Sequence, residues 1–192
     1  YLVMEKTVDL KDFEQIDNLH ISPGKIIQQK NFLYGLDAVL LADYAKKKIK
    51  SKSWVCDLCS GNGIVPLLLA LQSNAEKIFG LEIQSDCVEM ANRSVKLNSF
   101  EDRIKIVQGD LKLIRENKNF LQKSFDVLTV NPPYMKKGTG KENPVESINI
   151  ARHEIMCSLD DVFSCAKILL KDKASLFMIH RAYRLSDIFA EC

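Results

Sequence analysis

Asn131, Pro132, Pro133 and Tyr134 follow directly on the apolar run from Phe125 to Val130. The run reads as a buried strand, and it must stop at Asn131 because neither proline can donate to a strand ladder. A stiff turn carrying a carboxamide, fixed carbonyls and an aromatic ring is therefore expected at a strand's carboxyl end. In open parallel α/β sheets that edge is where ligands bind. An ordinary breaker turn is the bland alternative, and the residues upstream weigh against it.

Those residues are three acids, each at the end of an apolar run. In "VCDLCSGNGIVPLLLA", Asp57 precedes Gly61 and Gly63. Pro66 stands where the third glycine of a dinucleotide fingerprint would fall, which disfavours a pyrophosphate ligand. An acid ahead of the glycines repels phosphate. It suits a cofactor carrying an ammonium or sulfonium cation, as S-adenosylmethionine does. Glu82 closes "IFGLE" about 20 residues further on, where a carboxylate accepts ribose hydroxyls. Asp110, in "IVQGDL", is positioned to accept an adenine amino group. Each acid alone reads as a turn residue, but three at successive strand ends beside a glycine loop are hard to assign to chance.

The elements that must position them alternate in type. Strands are expected over 54–59, 77–83, 104–107, 125–130 and 174–180. Helical patterns are expected over 64–72, 85–98, 111–120 and 159–170. Alternation of this kind predicts a doubly wound, mostly parallel sheet with helices on both faces. Ahead of it an irregular amino end leads into a helix in "LDAVLLADYAKKK", with Asp37 as its N-cap. The whole chain reads as one α/β domain, with 1–50 an amino-terminal segment and helix, which the family resemblance given below implies lie over the cofactor site, and 51–192 the Rossmann-like core, truncated at its carboxyl end. The connection from Met135 to Ser158 is long enough to suggest function.

Composition sets looser bounds. The 192 residues are 46% hydrophobic and 27% charged, enough for a real core. A net charge of +2 neither requires nor excludes a nucleic-acid partner. No apolar run approaches a membrane span and the amino end lacks the pattern of a signal peptide, which points to a soluble cytoplasmic protein. The six cysteines lie in apolar segments and are expected as free buried thiols. Cys56 and Cys59 form a C-x-x-C without the second pair of a zinc ribbon, so no metal set is expected.

The order D-x-x-x-G-x-G, E, G-D-L and N-P-P-Y resembles the class I S-adenosylmethionine-dependent methyltransferases that methylate exocyclic or amide nitrogens. The segment from Glu14 to Ala45 and "ARHEI" from Ala151 resemble the small-domain, tRNA(Val) adenine-37 N6-methyltransferase group. The resemblance implies strand order 3-2-1-4-5, S-adenosylmethionine as cofactor and tRNA as partner. It also implies two further strands at the carboxyl end, so the chain is expected to be incomplete after Cys192. Met4 stands as a candidate natural start.

By the same resemblance, Tyr34, Gly35 and Asp37 lie over the cofactor. Asp57, Ser60, Gly61 and Gly63 form its loop, and Glu82 with Ile83, then Asp110 with Leu111, complete the set together with Asn131. The Asn131 side-chain oxygen and the Pro132 carbonyl would each accept one N–H of a target amino group, aiming its lone pair at the methyl group. Pro133 stiffens the turn and Tyr134 stacks on the base. Lys136, Lys137, Lys141, Arg152 and His153 would contact the substrate, although each also reads as an exposed or structural residue. Three rivals stay open: a release-factor glutamine N5-methyltransferase, a DNA adenine methyltransferase, and a cofactor-binding module without catalysis.

Overall fold

The computed structural model describes residues 8–19, 21, 23–31, 33–132 and 157–191. A hairpin comes first, β1 (Glu14–Asn18) and β2 (Lys25–Gln29), paired antiparallel, followed by helix α1 (Leu36–Lys46). Then strands and helices alternate: β3 (Trp54–Leu58), α2 (Ile64–Gln72), β4 (Lys77–Glu82), α3 (Ser85–Leu97), β5 (Ile104–Gln108) and a single 3-10 turn (Leu111–Leu113). The chain continues through β6 (Phe125–Val130), α4 (Leu159–Leu169), β7 (Leu170–Met178) and α5 (Leu185–Glu191). The five strands β3 to β7 pair in parallel in the order β5-β4-β3-β6-β7, which is the expected 3-2-1-4-5.

Side-chain alternation splits the core into two layers. Val55, Ile78, Ile104, Ile106 and Val127 meet α1, α2 and α3 on one face. On the other, Cys56, Leu58, Phe79, Leu81, Leu128 and Val130 meet α4 and the aromatic group of Trp54, Phe79, Phe120 and Phe125. Both faces are covered, as a parallel sheet requires. Among the described residues no helix is long and apolar enough to cross a membrane.

Four local expectations are corrected. The amino end is a β-hairpin rather than irregular, held to α3 by long-range contacts that local pattern does not encode. Arg93 pairs with Glu14, whose side chain is fully buried, and the Ile27 N–H donates to Ser94 Oγ at 2.9 Å. The N-cap of α1 is Gly35, with Asp37 in the helix's first turn, where its charge suits the helix dipole. The expected helix 111–120 is one 3-10 turn. Asn117 competes for its own backbone there: its Oδ1 accepts the Asn119 N–H at 3.1 Å. Strand β7 begins at Leu170, directly after α4, not at Ala174.

Candidate functional site

The glycine loop leaves β3 through a sequence of left-handed residues: Cys59 at φ 56°, Gly61 at φ 55° and Gly63 at φ 81°. Gly63 caps α2, and Pro66 falls in that helix's first turn, where a missing N–H costs nothing. A Cβ on Gly61 would meet nothing within 4 Å, so the loop backbone faces open space on that side. On its inner side it is packed tightly. A Cβ on Gly80 of β4 would come to 2.6 Å from Ser60 Oγ, so glycine there is what lets β4 and the loop approach.

Glu82 ties the loop to the neighbouring strand end. Its Oε2 accepts the Gly61 N–H at 2.8 Å, and its Oε1 accepts Ile83 N–H at 3.0 Å and Gln84 N–H at 2.9 Å. A carboxylate offers about four acceptor sites. In this arrangement room for one further hydrogen bond remains, on Oε2, where the sequence reading gave Glu82 both ribose hydroxyls. Ile83 is half-buried beside it. Asp110 caps the 3-10 turn, its Oδ1 accepting the Lys112 N–H at 2.9 Å, and Leu111 behind it is core.

Asp57 is 2% exposed, on the same sheet face as Thr129, which faces it across β3 and β6. The Thr129 hydroxyl donates to Asp57 Oδ1 at 2.6 Å. Burial pushes the carboxyl up to about 7, against the lowering effect of Thr129 and of the nearby Ser60 hydroxyl, while the Glu82 charge raises it further. The Ser60 hydroxyl, also buried, makes no well-aligned hydrogen bond. In register Leu58 sits beside Val130, so the next residues out are Cys59 and Asn131. The half-buried Asn131 and buried Pro132 thus begin at the edge where the glycine loop begins.

Tyr34 and Gly35 lie between the hairpin and α1, and Tyr34 is tied to β2. The buried Gln28 of β2 accepts the Tyr34 N–H at 3.0 Å through its side-chain oxygen and donates from Nε2 to Asp17. Burial, with Asp17 nearby, holds the Tyr34 phenol above its usual range. Sequence reasoning missed Gln28 and Thr129. The signal for Thr129 was present, a hydroxyl two residues before Asn131 in an otherwise apolar strand, but its partner needed the strand register. Pro133, Tyr134, Lys136, Lys137, Lys141, Arg152 and His153 lie outside the described residues.

The donor set fits S-adenosylmethionine. A buried acid that gains charge beside a cation, a carboxylate with an open acceptor site, an unpartnered buried hydroxyl and an open glycine loop all face one sheet edge. A family model described as "Methyltransferase small domain" matches residues 37–153. The chain belongs to that family.

Within it, the chain is similar to a Porphyromonas gingivalis protein named tRNA1(Val) (adenine(37)-N6)-methyltransferase, 28% identical over 80% of this chain and 60% of the relative. A Phocaeicola vulgatus protein of the same name is 31% identical over 71% of this chain and 54% of the relative. The chain therefore spans little more than half the length of the curated relatives it matches. In fold this member of the methyltransferase small domain family resembles a predicted O-methyltransferase from Agrobacterium tumefaciens, with TM-score 0.61 and 21% identity over 81% of this chain and 66% of that one. A putative S-adenosyl-L-methionine-dependent methyltransferase from Methanococcus maripaludis gives TM-score 0.52 at 18% identity, over 81% and 62%.

Proposed function

We propose that this chain is an S-adenosylmethionine-dependent N6-adenine methyltransferase acting on RNA, with tRNA as the favoured substrate and the cytoplasm as its setting. The observation that carries the reading is the register of β3 and β6, in which Asn131 follows the Asp57–Thr129 pair by two residues, at the edge where the glycine loop also begins. S-adenosylmethionine supplies an electrophilic methyl group on a sulfonium centre. Asp57 offers negative charge to the cationic part of that ligand, and Glu82 offers its free Oε2 position to a ribose hydroxyl.

Asn131 and Pro132 act on the nucleophile. An adenine amino lone pair is delocalised into the ring, so two acceptors, the Asn131 oxygen and the Pro132 carbonyl, draw its hydrogens into a geometry that frees the lone pair. No base is required before attack, because the nitrogen becomes acidic only as it is methylated. Tyr134 stacks on the target base. Toward the amino end of β6, at the opposite end of that strand from Asn131, an open cleft of about 510 Å³ is lined by Lys112, Arg115, Lys123 and Lys167 with Gln122 and Ser164. Cations grouped in this way suit a phosphate backbone.

The names of the relatives favour tRNA over protein or DNA. The test is labelled S-adenosylmethionine incubated with the protein and, separately, total tRNA, a protein release factor and duplex DNA, followed by nucleoside and amino-acid analysis. Label in N6-methyladenosine of tRNA is the expected result. Label confined to glutamine of the release factor would transfer the assignment to the amide-methylating rival, and cofactor binding without turnover on any substrate would leave a binding module.

A further inference from the structure

We propose that Cys59 and Cys157 are a peroxide-reactive thiol pair whose disulfide closes down the cofactor loop. The two residues are 98 apart in sequence, yet the Cys59 thiol donates to Cys157 Sγ at 3.8 Å. Both ends are held in place. Cys59 is the first left-handed residue of the glycine loop, between Asp57 and Gly61. Cys157 directly precedes Ser158, the N-cap of α4, where Ser158 and Asp161 complete a reciprocal capping box.

At φ 56° Cys59 holds a backbone conformation that residues with a side chain rarely adopt, so packing must hold it where it is. Its contacts are with the apolar layer that also receives Cys157. The remaining described cysteines are placed differently. Cys56 and Cys165 are sealed in the core, and Cys87 sits on α3. Cys59 itself is a poor first nucleophile, since its hydrogen bond to Cys157 and its burial hold the thiol well above the usual range. Cys157, half-buried and accepting that hydrogen bond, is assigned as the sulfur that attacks first.

With a hydroperoxide as oxidant the chemistry balances. The Cys157 thiolate attacks a peroxide oxygen; the S–O bond forms, the O–O bond breaks, and the departing hydroxide takes up the thiol's proton to leave as water. Cys59 sulfur then attacks the sulfenic sulfur. The S–S bond forms, the S–O bond breaks, and the Cys59 proton leaves with the hydroxide as a second water. Two thiols are oxidised by two electrons, and one hydroperoxide is reduced.

Closing the sulfurs from 3.8 Å to a bond of about 2.05 Å brings them about 1.8 Å nearer, a movement shared between rotation of the two side chains and the backbone at Cys59 and the start of α4. The loop cannot follow freely, because Gly61 N–H is anchored on Glu82 and Ser60 N–H on Leu81 carbonyl at 3.0 Å. Whatever part of the movement is taken up at Cys59 therefore strains this anchored loop backbone.

The test treats the full chain with a small excess of hydrogen peroxide and reads three quantities: a non-reducing peptide map, the loss of two titratable thiols, and S-adenosylmethionine affinity by calorimetry. The expected result is a 59–157 cross-link, affinity at least tenfold weaker, and recovery on adding dithiothreitol. Cys157→Ser is expected to bind the cofactor normally before and after the same treatment. A map without the 59–157 link, a linked form of undiminished affinity, or equal peroxide sensitivity in Cys157→Ser would each overturn the proposal. Should the reduced protein bind no cofactor, the functional reading falls by itself, while the map still decides the cross-link.

Discussion

The Thr129 hydroxyl donates to Asp57 Oδ1 at 2.6 Å, joining β3 and β6 one residue before the carboxyl end of each strand. It is the means by which a carboxyl buried to 2% exposure stays poised near neutrality, pushed up to about 7 rather than driven fully neutral.

Cofactor affinity should therefore rise with pH between about 6 and 8. The cationic ligand favours the Asp57 carboxylate, so binding below pH 7 must expel a proton, and calorimetry in buffers of different ionisation enthalpy will read that release. Thr129→Val removes a donor that lowers the pKa, so the midpoint should move upward. In the free protein the sign is opposite. A folded pKa raised from 3.8 to about 7 makes the native state the stronger proton binder, so the Asp57 contribution to stability declines as pH climbs from about 4 to about 7. A pH-independent affinity, with no proton release, would remove Asp57 from the cation's surroundings.

Glu82→Gln should be more damaging than its shape suggests. The amide keeps one acceptor oxygen but cannot serve Gly61 on one side and Ile83 and Gln84 on the other. Losing a charge-assisted hydrogen bond costs about 1.5 to 3 kcal/mol. Weaker cofactor binding together with a lower melting temperature is expected, since Glu82 organises the loop as well as carrying the proposed ribose contact. A variant with normal affinity would show that the loop, and not this carboxylate, holds the ribose.

Asn131→Ala should slow transfer by roughly 100- to 1,000-fold, the scale for losing one oriented polar group that acts in the transition state, and weaken cofactor binding far less than that. Single-turnover methylation of the native RNA measures it. Undiminished speed would return the turn at 131 to a structural role.

Arg93→Ala should release the hairpin from α3, because Glu14, with a fully buried side chain, would be left as an unpaired charge. About 3 kcal/mol is expected for breaking such a pair. The Arg93 hydrogen bond holds the Glu14 carboxyl below its ordinary value, so this stabilisation is present at neutral pH and fades as pH falls below about 4.5. Denaturant titrations at pH 7 and pH 4 should differ less in the variant than in the parent. Hydrogen exchange confined to 14–29 would separate a local release from global loss of stability.

Much of this molecule was legible in its residues, for a physical reason. In a parallel sheet every strand's carboxyl end lies on one edge, so acids closing three successive apolar runs, a glycine loop after the first and Asn131 after the fourth had to converge once the alternation of strand and helix was read. The turn signals were also local, in Gly63 and the prolines. What tertiary structure decided depends on pairs far apart in the chain: Glu14 with Arg93, Asp57 with Thr129, Cys59 with Cys157. The hairpin's polar alternation became strand only by docking on α3. Glu82 reads from sequence as a ligand carboxylate, yet its oxygens already answer three backbone N–H groups. Composition and periodicity record which side chains are buried; only the register of neighbouring strands sets which polar atoms must then satisfy one another.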